Sequence, residues 1–438
     1  IMTFENVSLF PMGTNVNISG HLEIGGLDVI SLAREYGTPL YIYDEVTIRT
    51  MAKTFVEEFT SRYKDTVVAY ASKAFLNKEM AKIAEEENLS LDVVSGGEIA
   101  VAIAGGFPAG KMAFHGNNKT PQELTQAIES GVGTIVVDGF QELDLLNEIA
   151  REKNITQGIM LRLSPSVDAH THGHTTTGIL DVKFGFSIES GESTIAIRQA
   201  LSSKNLDLKG IHFHLGSPIF ELEPYSEAID TVLDYLAPFK SEGLDLREFS
   251  TGGGFAIGYV RNEPPPPIGD YAEVITSMIK NKCDELGFDL PTLIIEPGRS
   301  IVGRAGVAIY TVGVIKEIPT VRTYVSLDGG MGDNIRPALY GSEYEAVVAN
   351  KMNFSGDTKI VTLAGKYCES GDILIKDISL PTPESGDIVA IPSSGAYCLA
   401  MSSNYNMNPR PAVLMINTGN PRLIRKRETY QDLMALDL

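Results

Sequence analysis

Between about residues 43 and 300, short β-branched runs alternate eight times with amphipathic segments. The runs are "TVVAYASK" (66–73), "LSLDVVS" (89–95), "KMAFHG" (111–116), "TIVVDG" (134–139), "GIMLRLSP" (158–165), "LKGIHFHLG" (208–216), "REFSTGGGF" (247–255) and "TLIIEPGRS" (292–300). Segments such as "PQELTQAIES" and "FQELDLLNEIAREK" between them carry apolar residues at helical spacing. Strands separated by helical crossovers pair in parallel, and eight such units fit a closed (β/α)8 barrel. An open doubly wound sheet would want fewer strands and a glycine-rich first turn. No GxGxxG follows "TVVAYASK".

After Ser300 the texture changes. "AGVAIYTVGVIKEI", "RTYVSLDGG", "EYEAVVANK", "TKIVTLAG", "GDILIKDI", "DIVAIPSS" and "PAVLMINTG" read as strands with little helix between them. The first forty residues also read as strand and loop. The expected fold is therefore α/β plus β. A TIM-like barrel spans 43–300, and 1–42 with 301–438 form a β-rich barrel or sandwich. The run "EPPPP" at 263–267 reads as a stiff loop extension.

With 36 basic against 56 acidic side chains, the formal charge is −20. Such a surface repels nucleic acid and anionic membrane, so neither is an expected partner. Three cysteines, Cys283, Cys368 and Cys398, match no zinc spacing and no disulfide framework, which suits a reducing cytoplasm. No apolar run reaches the length of a membrane span, and "IMTFENVSLF" lacks a signal-peptide layout.

Polar residues cluster where a barrel would use them. Lys73, His214, glycines 252–254 and the run from Glu296 to Arg299 all end strands, and those ends share one mouth. Lys73 suits a Schiff base with an aldehyde cofactor; alone, the plainer reading is a lysine reaching for solvent. The glycines of "STGGGF" let backbone N–H groups approach a phosphate, although a tight turn also explains them. In "HFHLGS", His212 and His214 share a face. No third ligand at suitable spacing is evident for a metal, so a ring-stacking imidazole or a core histidine remains, with Ser217 in reach of a phosphate. Glu296 suits a pyridine nitrogen, and a Glu–Arg ion pair is the blander account. Taken together these are the parts of a pyridoxal-phosphate site, with no metal required.

The motifs "YASKAF", "LDVVSGGE", "HFHLGS", "STGGGF", "EPGRSIV", "NIRPALYG", "CESGD" and "GAYCLAMSSNYN", in that order, resemble the diaminopimelate decarboxylases. These are barrel-type pyridoxal-phosphate enzymes of lysine biosynthesis. The resemblance implies that Lys73 bonds pyridoxal 5'-phosphate and His214 stacks on it. It places Ser217, Gly253, Gly254, Gly298, Arg299 and Tyr397 around the phosphate and Glu296 at the pyridine nitrogen. Arg299, Arg336, Tyr340 and Tyr397 are implied for the substrate's distal carboxylate and neighbouring groups, and Glu369 for the distal ammonium. Cys368 or Lys73 returns the proton, and "AGKYCESGDIL" completes the partner's site in a homodimer. The implied reaction converts meso-2,6-diaminopimelate to L-lysine and carbon dioxide.

Related readings share these parts. One is a decarboxylase for ornithine, arginine, carboxynorspermidine or a carrier-bound glutamyl group, and another an amino-acid racemase. A third is a non-catalytic pyridoxal-phosphate carrier. Arg336, Tyr340 and Glu369 argue against the other decarboxylases and the carrier, because an unanswered polar clamp penalises the wrong substrate, whereas a racemase would need a second base on the opposite face. The loop "VDAHTHGHTTTG" holds His170, His172 and His174. The resemblance makes it a lid, and a glycine- and threonine-rich loop is poorly preorganised for a metal.

Overall fold

A computed structural model describes residues 4–167 and 182–438. The described residues divide into two compact units, one of 52–256 with 266–298, the other of 4–51, 257–265 and 299–438.

The first unit is a closed parallel barrel. Its strands are Thr66–Ala71 (β1), Ser90–Val93 (β2), Met112–Phe114 (β3), Thr134–Val137 (β4), Gln157–Ser164 (β5), Leu206–His212 (β6), Glu248–Ser250 (β7) and Thr292–Ile295 (β8). Each pairs with its neighbour in chain order, and β8 returns to β1 through Leu293 opposite Thr66. Helices follow the strands, and side chains cap the helices after β1, β2 and β3. Asn77 caps the helix Lys78–Glu86, Ser95 caps Gly96–Ala104, and Thr120 with Glu123 forms a capping box on Pro121–Ser130.

Every barrel strand stops before the C-terminal end of its sequence motif, β5 by a single residue. Lys73, His115, Asp138, His214, Gly252 and Glu296 all lie just beyond the last paired residue. There the backbone is released from the ladder and side chains can converge. His212 is the last residue of β6 and His214 lies past it, so the two do not share a strand face as the alternation suggested.

The second unit is built on a mixed sheet. Gly306–Ile318 is its longest strand and pairs antiparallel with Leu40–Asp44, Arg322–Leu327 and Ile388–Ile391. Leu40–Asp44 also runs parallel to Ala412–Asn417, so the N-terminal strand lies inside the sheet. All five of its residues are buried, as expected for a central strand. Phe10, Leu22, Ile24, Leu40, Ile42, Val307 and Leu414 share one apolar core. No helix among the described residues is long and apolar enough to cross a membrane.

Candidate active site

Lys73 stands exposed in the single 3-10 turn Ser72–Ala74 that follows β1. Its charge bears on Asp92, Glu98 and His214. The glycine run after β7 is a shaped cradle. Gly252 and Gly254 have φ of +70° and +99°, the left-handed region that favours glycine. A Cβ at Gly253 would meet the Glu296 carbonyl oxygen at 2.1 Å, and one at Gly254 the Gly216 carbonyl oxygen at 2.5 Å.

The cradle is pinned from three sides. The Tyr225 hydroxyl donates to the Gly253 carbonyl at 2.8 Å, and the Ile219 N–H donates to the Gly254 carbonyl at 2.7 Å. The Gly253 N–H donates to His214 Nδ1 at 3.2 Å. Burial, then the charge of Lys73, pushes the His214 pKa well below the ordinary imidazole value. An acceptor at Nδ1 and a neutral ring together place the hydrogen on Nε2. Ser217 is exposed on the loop between β6 and Ile219. Gly298 packs tightly, since a Cβ there would lie 2.8 Å from that of Ala71.

Glu296 follows β8 and is 7% exposed. His212 Nε2 lies 3.0 Å from its Oε2, and the Ser250 hydroxyl donates to Oε1 at 2.8 Å. His115 Nε2 lies 3.6 Å from Glu296 Oε1 and 3.6 Å from Asp92 Oδ1. Burial alone would raise the Glu296 carboxyl, but the His212 and His115 rings and Ser250 hold it well below the usual carboxylate range. Burial also pushes His115 well below the ordinary imidazole value, so the hydrogen bonds of His212 and Ser250 are the contributions that stand. Burial, then the charge of Glu296, raises the Asp92 carboxyl well above its usual value. The two neighbouring carboxyls are pushed in opposite directions, Glu296 down and Asp92 up, a separation typical of functional pairs.

The third ligand that "HFHLGS" lacked is supplied by other strand ends. His115, His212 and Glu296 present ligand atoms within 4.8 Å of one another. His214 is outside that group, and His212 Nε2 and Glu296 Oε2 are already joined by a 3.0 Å hydrogen bond. His170, His172 and His174 lie outside the described residues.

The second unit gathers cations over aromatic rings. The Arg299 guanidinium lies 4.8 Å from the Tyr397 ring centre and 5.7 Å from that of Tyr259. Arg336, 5% exposed, lies 4.5 Å from the Tyr259 ring and donates to the Tyr344 hydroxyl. Tyr259 thus brings Arg299 and Arg336 together. Tyr397 has φ of +59°, strained for a residue with a side chain. Cys398 is buried 3.6 Å from the Tyr344 hydroxyl, and burial pushes its thiol up to about 11. Tyr340 ends the short helix Arg336–Tyr340 and is 62% exposed.

Cys368 and Glu369 are exposed together on a different loop. The Cys368 N–H donates to Asn406 Oδ1 at 2.7 Å, and its carbonyl accepts the Tyr405 hydroxyl at 3.2 Å. Glu369 Oε1 accepts the Gly371 N–H at 3.1 Å. Sequence reasoning missed His115, Asp92, Ser250 and Tyr259. The first three lie in or directly after barrel strands, as do Lys73, His214 and Glu296, and Tyr259 closes the quoted run "STGGGFAIGY".

A barrel whose strand ends carry a lysine, a glycine cradle and an ionised buried carboxylate has relatives. Residues 47–303 match the pyridoxal binding domain of pyridoxal-dependent decarboxylases. The chain is 48% identical to the diaminopimelate decarboxylase of Bacillus subtilis (strain 168), over 98% of both sequences. The chain belongs to the diaminopimelate decarboxylases. The diaminopimelate decarboxylase from M. jannaschii, solved in complex with L-lysine, superposes with a TM-score of 0.91 at 35% identity, covering 97% of each chain. The family member from Helicobacter pylori, also with L-lysine, gives 0.84 at 33% identity over 93% of this chain and 98% of that one.

Proposed function

We propose that this enzyme binds pyridoxal 5'-phosphate on Lys73 and decarboxylates meso-2,6-diaminopimelate to L-lysine. The observation that carries the reading is Glu296, kept anionic in a buried site beside the Gly253–Gly254 cradle. That donor set suits a flat, phosphorylated, basic-nitrogen ring. Bound there, the cofactor supplies an electron sink for the pair left when carbon dioxide departs.

The chain's own residues do the rest. Lys73 would hold the aldehyde carbon, and neutral His214 would face the ring without adding charge beside the lysine. Ser217, Gly253, Gly254, Gly298, Arg299 and Tyr397 hold the phosphate. Glu296 would face the ring nitrogen and hold a proton there. Arg299 and Arg336, with Tyr340 and Tyr397, grip the carboxylate that stays, and a planar guanidinium suits that task. Glu369 answers the distal ammonium, and Cys368 or Lys73 returns a proton to the reacting carbon. Cys368 and Glu369 serve the neighbouring site of a cytoplasmic homodimer, and their exposure supports that assignment.

Purified protein with pyridoxal phosphate should release carbon dioxide from meso-diaminopimelate much faster than from ornithine or arginine. Equal turnover of ornithine would sink the substrate assignment. Lys73→Ala should abolish both turnover and the visible absorbance of lysine-linked cofactor.

A further inference from the structure

We infer that His212, braced by the packed ring of His115, is a positioning residue that fixes the Glu296 carboxylate in one orientation inside the barrel. The inference rests on the proposed role of Glu296 and deepens it. Both histidines are nearly inaccessible, at 5% and 1% exposure. Their rings pack edge to face, with centres 4.9 Å apart and planes at 69°. Each presents Nε2 to a different oxygen of Glu296, His212 to Oε2 at 3.0 Å and His115 to Oε1 at 3.6 Å. Ser250 completes the grip on Oε1.

The energetic case follows from burial. A carboxylate removed from water neutralises unless donors replace the lost solvation. A protonated Glu296 would offer a neutral partner to a ring nitrogen and could no longer stabilise its positive charge. His212 and Ser250 supply donors, one to each oxygen. His115 stands between Glu296 and Asp92, 3.6 Å from an oxygen of each, where its Nε2 has no hydrogen-bond partner at ordinary distance. From that position it separates two carboxyl groups that would otherwise compete for one proton. Lys73, Glu98, Lys119, Asp138, Arg162 and His214 are the other charged or titratable groups that bear on this cluster.

The test compares His212→Gln, which keeps an N–H near the Nε2 position, with His212→Leu, which does not. Both should retain cofactor absorbance. His212→Leu should lose about tenfold or more in kcat at nearly unchanged KM, the scale on which outer-shell partners act. Its acid limb should move to higher pH, because Glu296 without donors takes up a proton more readily. His212→Gln should recover most of the loss and return the acid limb towards that of wild type. The same pair at His115 gives the comparison if His212→Leu does not fold. Wild-type kcat and pH profile in both leucine variants would overturn the inference, and so would a glutamine variant as impaired as the leucine one. Glu296→Gln separates the two layers. If it keeps full activity, the proposed role of Glu296 fails. If it is inactive while the leucine variants are normal, only the positioning role fails.

Discussion

The Asp372 carboxylate accepts the backbone N–H of Met331 at 2.7 Å and, with its other oxygen, that of Tyr367 at 2.9 Å. One side chain therefore ties the loop bearing Cys368 and Glu369 to the loop that leads into Arg336. The fit is close, since a Cβ on Gly365 would lie 2.0 Å from Asp372 Oδ2. Hydrogen bonds to a charged group contribute about 1.5–3 kcal/mol each. Asp372→Ala should cut kcat/KM for meso-diaminopimelate about tenfold or more while cofactor absorbance stays unchanged. Wild-type kcat/KM in steady-state assays would remove Asp372 from the account.

Gly254→Ala tests the cradle. The residue has φ of +99°, and its new Cβ would lie 2.5 Å from the Gly216 carbonyl oxygen. Strain of about 1–3 kcal/mol should weaken cofactor binding about tenfold or more, read by equilibrium dialysis. Unchanged affinity would place the phosphate elsewhere.

Arg336→Lys keeps the charge but loses the planar fork and the stack on Tyr259. KM for meso-diaminopimelate should rise about tenfold, with a smaller change in kcat. A fall in kcat alone would argue against a ground-state grip on the substrate.

Asp333 predicts a pH dependence of stability. It is 1% exposed, and burial raises its carboxyl to about 6 despite hydrogen bonds from Tyr310, the Gly330 N–H and Tyr41. A raised carboxyl favours the folded state below its unfolded value, and that contribution fades as pH rises through about 6. Asp333→Asn stays neutral and can still accept. Relative to wild type it should therefore gain on the order of 2–3 kcal/mol between pH 4 and pH 7. Urea denaturation at matched protein concentration measures the difference. A constant difference across that range would show that Asp333 does not titrate there.

Thiol reactivity should single out Cys368. It is exposed, whereas Cys283 and Cys398 are buried and burial pushes both thiols up to about 11. Iodoacetamide should label Cys368 first and inactivate the enzyme, and L-lysine should slow both events. Full activity after complete labelling of Cys368 would exclude it from the site.

Much of the architecture was written locally. Short β-branched apolar runs ending in polar residues specify strands that open onto a barrel mouth, and glycines at 252–254 specify a turn that only glycine adopts without strain. Lys73, His214 and Glu296 could be read this way because each ends its own strand. What local pattern could not carry was partnership. His212 and Glu296 are 84 residues apart, and only closure of the barrel sets them 3.0 Å from each other. The same holds for Tyr259, which meets Arg299 and Arg336 because 257–265 packs with the β-rich unit. Residue type and spacing thus determined which groups the chain possesses and which elements present them. Tertiary packing decided which carboxyl is ionised, which imidazole is neutral and which arginines share a ring. Those properties depend on burial and on neighbours brought together from distant segments.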